Sequence, residues 1–184
     1  NGIYYYRVRA WDKLPENGGL ESAWSGVQTE VVSIQFPVGG VVISEIMYDP
    51  NGTDSPHEWI EIHNKTNIAV DVSGWKLFDG DGTTYHAMTL VQGGATLAPG
   101  GYAILADSGT TFLADYSTRA ATGGWMVVDS VVQLTNTGDT LTLKDAAGAV
   151  QSSVTYSASA PWPVIAGQGY TLERKSIAGA DNDA

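Results

Sequence analysis

Residues 57–78 read HEWIEIHNKTNIAVDVSGWKLF and contain a clear strand pattern. Side chains of a strand alternate between two faces, so Trp59 and Glu61 share one face while Glu58 and Ile60 share the other. Glu58 and Glu61 are therefore expected to point in opposite directions. Catalysis by paired carboxylates needs both groups to converge on one bond, which this spacing does not provide. The stretch predicts a structural strand.

Further short strands are predicted on both sides of this stretch, separated by turn residues. Gly, Asn, Asp and Pro are concentrated in segments such as DPNGTDSP, DGDG and NTGD, which are typical of turns. Strands spaced in this way predict an antiparallel sandwich or barrel. Residues 108–130 are the least regular part and are expected to hold one helical turn or a long loop. The predicted strands are 41–47, 58–63, 75–78, 102–106, 131–134, 140–144, 150–156 and 170–174.

The first 36 residues form a separate pattern of two strands joined by a loop. NGIYYYRVRAWD followed by ESAWSGVQTEVV resembles the last two strands of a fibronectin type III domain, and Tyr4 occupies the position of the family's corner tyrosine. The chain starts without an apolar run of the signal-peptide kind, so it is expected to be an excerpt of a longer polypeptide.

A second resemblance covers most of the remaining chain. The segments VVISEIMYDP, EWIEIHN, VDVSGWKLFD, TLAPGGYAILAD, LTNTGDTLTLKDAAGAVQSSVTY and GYTLERKS follow one another in this order. Together they resemble a lamin tail domain of the bacterial, extracellular type over residues 41–178, which implies an all-β, immunoglobulin-like sandwich. The family usually closes with a Trp-containing segment, whereas this chain ends in SIAGADNDA, so a C-terminal truncation is expected.

These resemblances predict three parts of the chain. Residues 1–36 are the C-terminal remnant of a fibronectin type III-like domain, residues 37–40 are a linker, and residues 41–184 are the lamin-tail-like sandwich. Eight strands provide enough inward positions for a core, whereas a lone hairpin is marginal in water. We therefore expect the 41–178 unit to fold alone.

The composition disfavours several classes of partner. The net charge is −11, and only nine Lys and Arg residues are spread along the chain, so nucleic acid is not an expected partner. Cysteine is absent, which leaves no disulfide and no thiolate metal site. No segment approaches the roughly 20 apolar residues that span a membrane, so membrane insertion is not expected.

Calcium is the one cofactor for which the sequence offers candidate ligands. Asp79 and Asp81 in FDGDGTTY provide two carboxylates, and Asp49 or Asp54 would add a third if it folded nearby. Calcium takes six to eight oxygen ligands, and the rest of an EF-hand loop is absent. The alternative is that the Asp-Gly pairs form hairpin turns.

Two tryptophans are candidate ligand-binding residues. Trp125 lies in GGWMVV within the irregular segment, and Trp162 lies between prolines in APWPVIAG. A rigid indole on a loop stacks on the apolar face of a sugar ring or anchors a protein partner. The alternative is that both cap the open ends of the sandwich.

Two hypotheses of function follow. The first is a non-catalytic accessory module of a secreted or surface-attached bacterial protein, located outside the cell or on its surface. Such a module would space, tether or bind, with a polysaccharide or protein as partner beside other domains of the same polypeptide. The second is a hydrolase whose site is assembled from Glu45, Glu61, His63 and Asp49. It requires these side chains to converge in a cleft with shifted pKa values.

Overall fold

The computed structural model describes residues 2–6, 11–12, 20–21, 26, 28–32, 37–80, 82–118, 124–165 and 167–176. The chain separates into two compact units, Asn1–Phe36 and Pro37–Ala184. Within the described residues, no helix has the length and apolarity needed to cross a bilayer.

The described residues of the first unit form antiparallel strand pairs. Strand β1 (Gly2–Tyr6) pairs with β4 (Gln28–Val32), and β2 (Trp11–Asp12) pairs with β3 (Leu20–Glu21). The fibronectin type III-like hairpin stays a prediction.

The second unit contains two main sheets. A six-stranded sheet has the order β10-β13-β12-β6-β5-β16, and a four-stranded sheet has the order β15-β14-β8-β9. A short pair, β7 and β11, lies outside them. The elements are β5 (Val41–Met47), β6 (Trp59–Asn64), β7 (Val70–Asp71), β8 (Lys76–Phe78), β9 (Tyr85–Ala87), β10 (Thr89–Gln92), β11 (Thr96–Leu97), β12 (Tyr102–Ala106), α1 (Gly109–Asp115), β13 (Met126–Asp129), β14 (Gly138–Lys144), β15 (Val150–Ser157) and β16 (Leu172–Glu173).

The core lies between these two sheets because each contributes one apolar face. Ile60 and Ile62 of the larger sheet, and Leu141 and Leu143 of the smaller one, have no exposed surface. Contacts also connect the sheets directly, since the Ile43 amide donates a hydrogen bond to the Ser152 hydroxyl at 3.1 Å. The predicted all-β sandwich is confirmed. Burial of these side chains is the main stabilising contribution, at about 1.5–3 kcal/mol for each.

Most of the predicted strands are present, but the prediction of a strand at residues 131–134 is wrong. Val131 is 61% exposed and has a φ of 52°, a left-handed conformation that no strand residue adopts. The backbone N–H of Leu134 donates to the carboxylate of Glu58 instead of to a neighbouring strand. The strand of this region is β13, which lies earlier in the chain.

Residues 108–130 contain more regular structure than was predicted. Helix α1 connects β12 to β13, and β13 runs parallel to β12, with Ile104 opposite Val127. The prediction of a purely antiparallel sandwich is therefore corrected at this pair. A parallel pair needs a crossover connection, and α1 lies in that crossover.

Candidate functional site

The outer face of the six-stranded sheet, which points away from the core, carries both polar and aromatic side chains. Glu45 on β5 lies directly opposite Glu61 on β6, and Glu61 lies opposite Ile104 on β12. Residues directly opposite each other share a face, so these three side chains project in the same direction. Trp59 lies two residues from Glu61 and therefore projects from the same face.

Helix α1 covers one end of this outer face through an aromatic cluster. Phe112 is buried, and its ring centroid lies 5.6 Å from that of Trp59 in an edge-on arrangement. The Tyr116 ring lies 4.7 Å from Phe112, and its hydroxyl accepts a hydrogen bond from the Trp59 indole at 3.3 Å. Edge-on and offset ring pairs of this kind contribute about 0.5–1.5 kcal/mol beyond area burial. The helix is therefore fixed to the sheet by its aromatic side chains.

The start of α1 is specified locally. Ser108 caps the helix, because its hydroxyl accepts a hydrogen bond from the backbone N–H of Thr111 at 3.3 Å. Gly109 follows at a point of close approach to the sheet. A Cβ atom there would lie 2.8 Å from a Val91 methyl group and 3.2 Å from Val127. Glycine allows the helix to begin directly on the sheet surface.

An open groove of about 330 Å³ lies beside this cluster, and we call it the aromatic groove. Trp125 is half-buried at its β13 end, where it packs against Phe112 with ring centroids 6.1 Å apart. Tyr170 is 61% exposed and lines the groove just before β16. The lining residues are Glu45, Met47, Trp59, Glu61, Ile104, Phe112, Tyr116, Trp125, Gly169, Tyr170 and Thr171.

The two carboxylates of the aromatic groove are each held by a hydroxyl group. Ser44 donates to Glu61 at 2.7 Å, and Thr171 donates to Glu45 at 2.5 Å. Burial raises the pKa of Glu61, the hydrogen bond from Ser44 opposes this, and the negative charges of Glu45 and Glu173 raise the pKa further. Both side chains are thus positioned acceptors for a ligand that donates hydrogen bonds.

Trp162 lies in a different groove from Trp125. That second groove has a volume of about 110 Å³ and lies where β5 and β16 meet β15 of the other sheet. Its lining includes Ile43, Val154 and Leu172 together with Trp162. The structure therefore separates the two tryptophans, and the binding role of each stays a prediction.

The four residues of the hydrolase hypothesis are not assembled into one site. Glu45 and Glu61 meet in the aromatic groove, but His63 and Asp49 are not among its lining residues. The His63 ring is buried, lies 4.2 Å from the Tyr102 ring, and has its pKa lowered by that burial. Asp49 accepts a hydrogen bond from the backbone N–H of Gly167.

Glu58 points away from Glu61, as the strand pattern predicted. Its carboxylate accepts the Leu134 N–H at 3.2 Å through both oxygens, while Glu61 faces Ser44. Glu58 is 2% exposed, and burial raises its pKa to about 7, an effect that the Leu134 hydrogen bond opposes and the charges of Asp54 and Asp107 reinforce.

Of the two calcium candidates, Asp79 and Asp81, the structure describes only Asp79. Asp79 lies 2.8 Å from the imidazole Nε2 of His86, whereas Asp81 lies outside the described residues. Within the described part of the chain, no three His, Asp or Glu side chains are arranged to hold a metal ion. A calcium site that uses Asp79 with Asp81 stays a prediction.

Several groove residues were missed from the sequence. Phe112 and Tyr116 lie four residues apart in SGTTFLADY, which begins with the capping Ser108, and this spacing was the available signal for a helix with an aromatic face. Tyr170 had no such signal, because its position depends on the pairing of β16 with β5.

An all-β sandwich of two facing sheets, with an open groove on one outer face, defines this protein as an immunoglobulin-like module. The comparisons with known proteins then identify the family. A model of the lamin tail domain matches residues 35–158, which is more than half of the chain, so the chain belongs to the lamin tail domain family. Searches among curated proteins and among solved structures found no match. The lamin tail domain is a non-enzymatic immunoglobulin-like family.

Proposed function

We propose that this domain is a non-catalytic accessory module of a secreted or surface-attached bacterial protein, and that it binds polysaccharide in the aromatic groove. The observation that carries the proposal is the combination of aromatic rings and positioned carboxylates in that groove. Trp125 precedes β13 and Tyr170 precedes β16, and strands β12, β6 and β5 lie between them in the sheet. Glu61 and Glu45 project from the two strands nearest β16.

A sugar ring matches this arrangement chemically. Its C–H faces are apolar and stack on aromatic rings, which the groove provides in Trp125 and Tyr170. Its hydroxyl groups donate hydrogen bonds, and an ionised carboxylate is a strong acceptor for them. The volume of about 330 Å³ is at the lower end of typical ligand sites, which fits a short segment of a chain.

The hydrogen bonds of the carboxylates support a binding role. Ser44 donates to Glu61 and Thr171 donates to Glu45, which holds both carboxylates as acceptors. The lamin tail domain family is non-enzymatic, which also favours binding over hydrolysis. The high negative charge of the chain also supports a partner other than nucleic acid.

The test is affinity electrophoresis of the whole chain in gels that contain soluble polysaccharides, with pull-downs on insoluble ones. We expect retardation by at least one glycan, and we expect Trp125→Ala to abolish it. Trp162→Ala is the matched control, because it removes an indole from the other groove. A thermal melt of each variant establishes that it is folded.

Loss of retardation in Trp162→Ala with retention in Trp125→Ala would move the site to the second groove. Absence of retardation by every glycan would refute polysaccharide binding. The domain would then be better explained as a spacer or a protein-contact module.

A further inference from the structure

Three glutamates form a row across adjacent strands of the outer face. Glu173 on β16 lies opposite Glu45 on β5, and Glu45 lies opposite Glu61 on β6. Directly opposed residues share a face, so all three carboxylates project from the outer face, where Glu45 and Glu61 line the aromatic groove and Glu173 lies next to Glu45. We call these residues the glutamate row.

Like charges placed directly opposite each other destabilise a sheet. The effect is present here, because the charges of Glu45 and Glu173 both act on the Glu61 carboxyl. A ligand with positive charge would relieve this repulsion when it binds. The row therefore favours a positively charged ligand in the groove over a neutral one.

The aromatic rings of the groove favour the same kind of ligand. Trp59, Tyr116, Trp125 and Tyr170 line it together with Glu45 and Glu61. The face of an aromatic ring attracts a cation, most strongly in tryptophan, and the attraction grows where water is displaced. Rings that stack on sugars and carboxylates that pair with ammonium groups thus occur in one groove.

We infer that the groove selects an amino polysaccharide, one whose sugar rings carry free primary ammonium groups, and that these groups bind at the glutamate row. This inference rests on the proposed function. It adds the chemical class of the glycan, and its basis is the charge complementarity between the row and the ligand.

The test compares three oligosaccharides of equal length and the same β-1,4 linkage, which differ only in the group on carbon 2. Cello-oligosaccharide has a hydroxyl there, N-acetylated chito-oligosaccharide an acetamide, and fully deacetylated chito-oligosaccharide an ammonium group. Titration calorimetry on the whole chain at low salt, repeated at several pH values between mildly acidic and neutral, measures each affinity, because the sugar ammonium groups need acid whereas the raised pKa of Glu61 needs a higher pH for its carboxylate to be ionised. We expect the ammonium form to bind about tenfold more tightly than the other two, a difference of about 1.4 kcal/mol.

Glu61→Gln is the informative variant, because it removes the charge and keeps an oxygen that accepts from Ser44. We expect it to weaken binding of all three forms, because the carboxylate also accepts from sugar hydroxyl groups, but to weaken binding of the ammonium form about tenfold more, so that the ammonium preference is lost. Asp71→Asn is the matched control. It removes one charge from an exposed position on β7, outside both main sheets.

The outcomes separate the two proposals. Equal affinity for all three oligosaccharides would overturn the inference and leave polysaccharide binding in place. Absence of binding to all three and to every other glycan would overturn both. An ammonium preference that survives Glu61→Gln, or that Asp71→Asn reduces equally, would assign the preference to the net charge and overturn the inference.

Discussion

Two buried polar residues, Glu58 just before β6 and Asn64 at its end, have opposite effects on the folded state. The amide nitrogen of Asn64 donates to the carbonyls of Ile68, Leu97 and Ala98 at 2.8–3.1 Å. Every polar atom of that side chain is satisfied, so its burial stabilises the fold. Glu58 receives one backbone N–H through both oxygens, so its ionised form is poorly compensated.

The first residue-scale prediction concerns Glu58 and pH. Its pKa of about 7 in the folded state lies above the ordinary value of 4.5, so the folded state binds the proton more tightly. The tighter proton binding stabilises the folded state in full below pH 4.5, the pKa of Glu58 in the unfolded chain. This stabilisation is lost as the pH rises from there through about 7, its pKa in the folded state. Glu58→Gln removes this dependence. As the pH rises through this range, the parent chain loses this stabilisation and the variant does not. We therefore expect the free energy of unfolding of the variant, relative to that of the parent, to increase by up to about 3 kcal/mol.

Urea unfolding at a series of pH values measures this difference. Asp71→Asn is the control, because Asp71 is exposed and its pKa is lowered, so its own titration lies below the pH range in which Glu58 titrates. A constant difference between the Glu58 variant and the parent across the range would contradict the assignment.

The second residue-scale prediction concerns Asn64. Its side-chain oxygen also accepts from the backbone and the hydroxyl of Thr66, so Asn64→Ala leaves several buried groups without a partner. We expect a loss of about 2–4 kcal/mol in the free energy of unfolding. Asn67→Ala, at an exposed position in the same turn, should change it by less than about 0.5 kcal/mol. Similar losses in both variants would show that the turn, rather than the Asn64 network, is responsible.

At the scale of elements, short apolar runs bounded by turn residues located the long strands of the core. Residues 41–47 and 102–106 form the strands that were predicted, although they are buried on both faces and do not show alternation. The error at 131–134 arose because buried side chains at Val132 and Leu134 imitate the alternation of a strand. Only the left-handed backbone of Val131 and the contact with Glu58 distinguish this segment from a strand.

Helix α1 gives the prediction at this scale. Phe112 is 4% exposed and contacts Trp59, Tyr116 and Trp125. Phe112→Ala should therefore lower the free energy of unfolding by about 3–5 kcal/mol. It should also weaken glycan binding, because Tyr116 and Trp125 lose their packing partner. Ala114→Ser, on the exposed side of the helix, is the control.

Chemical denaturation and affinity electrophoresis measure the two effects separately. Unchanged glycan retardation by folded Phe112→Ala would show that α1 does not position the groove.

At the scale of the whole molecule, the chain consists of two compact units that meet in sequence between Phe36 and Pro37. The second unit contains the sandwich core and every residue that lines the aromatic groove. Residues near its start also bond within it, since the Lys65 N–H donates to the carbonyl of Gly40 at 3.0 Å. The second unit therefore has the internal contacts of an independent domain.

The corresponding prediction is that residues 37–184, expressed alone, fold and retain the binding of the whole chain. We expect one cooperative thermal transition and unchanged glycan retardation, because every buried core residue in the described part of the chain lies within this unit. Differential scanning calorimetry measures the transition. An insoluble fragment, or one without a cooperative transition, would mean that the first unit is needed for the fold.

The sequence by itself determined the all-β class, the long strands and the opposite orientation of Glu58 and Glu61, because alternation and turn chemistry are local properties of the chain. The tertiary structure decided the parallel pairing of β13 with β12 and the composition of the groove. Glu45, Tyr116 and Tyr170 are distant in sequence, and no local pattern relates them. Strand order and register bring them together, because non-local pairing is fixed by packing of the complete sheet.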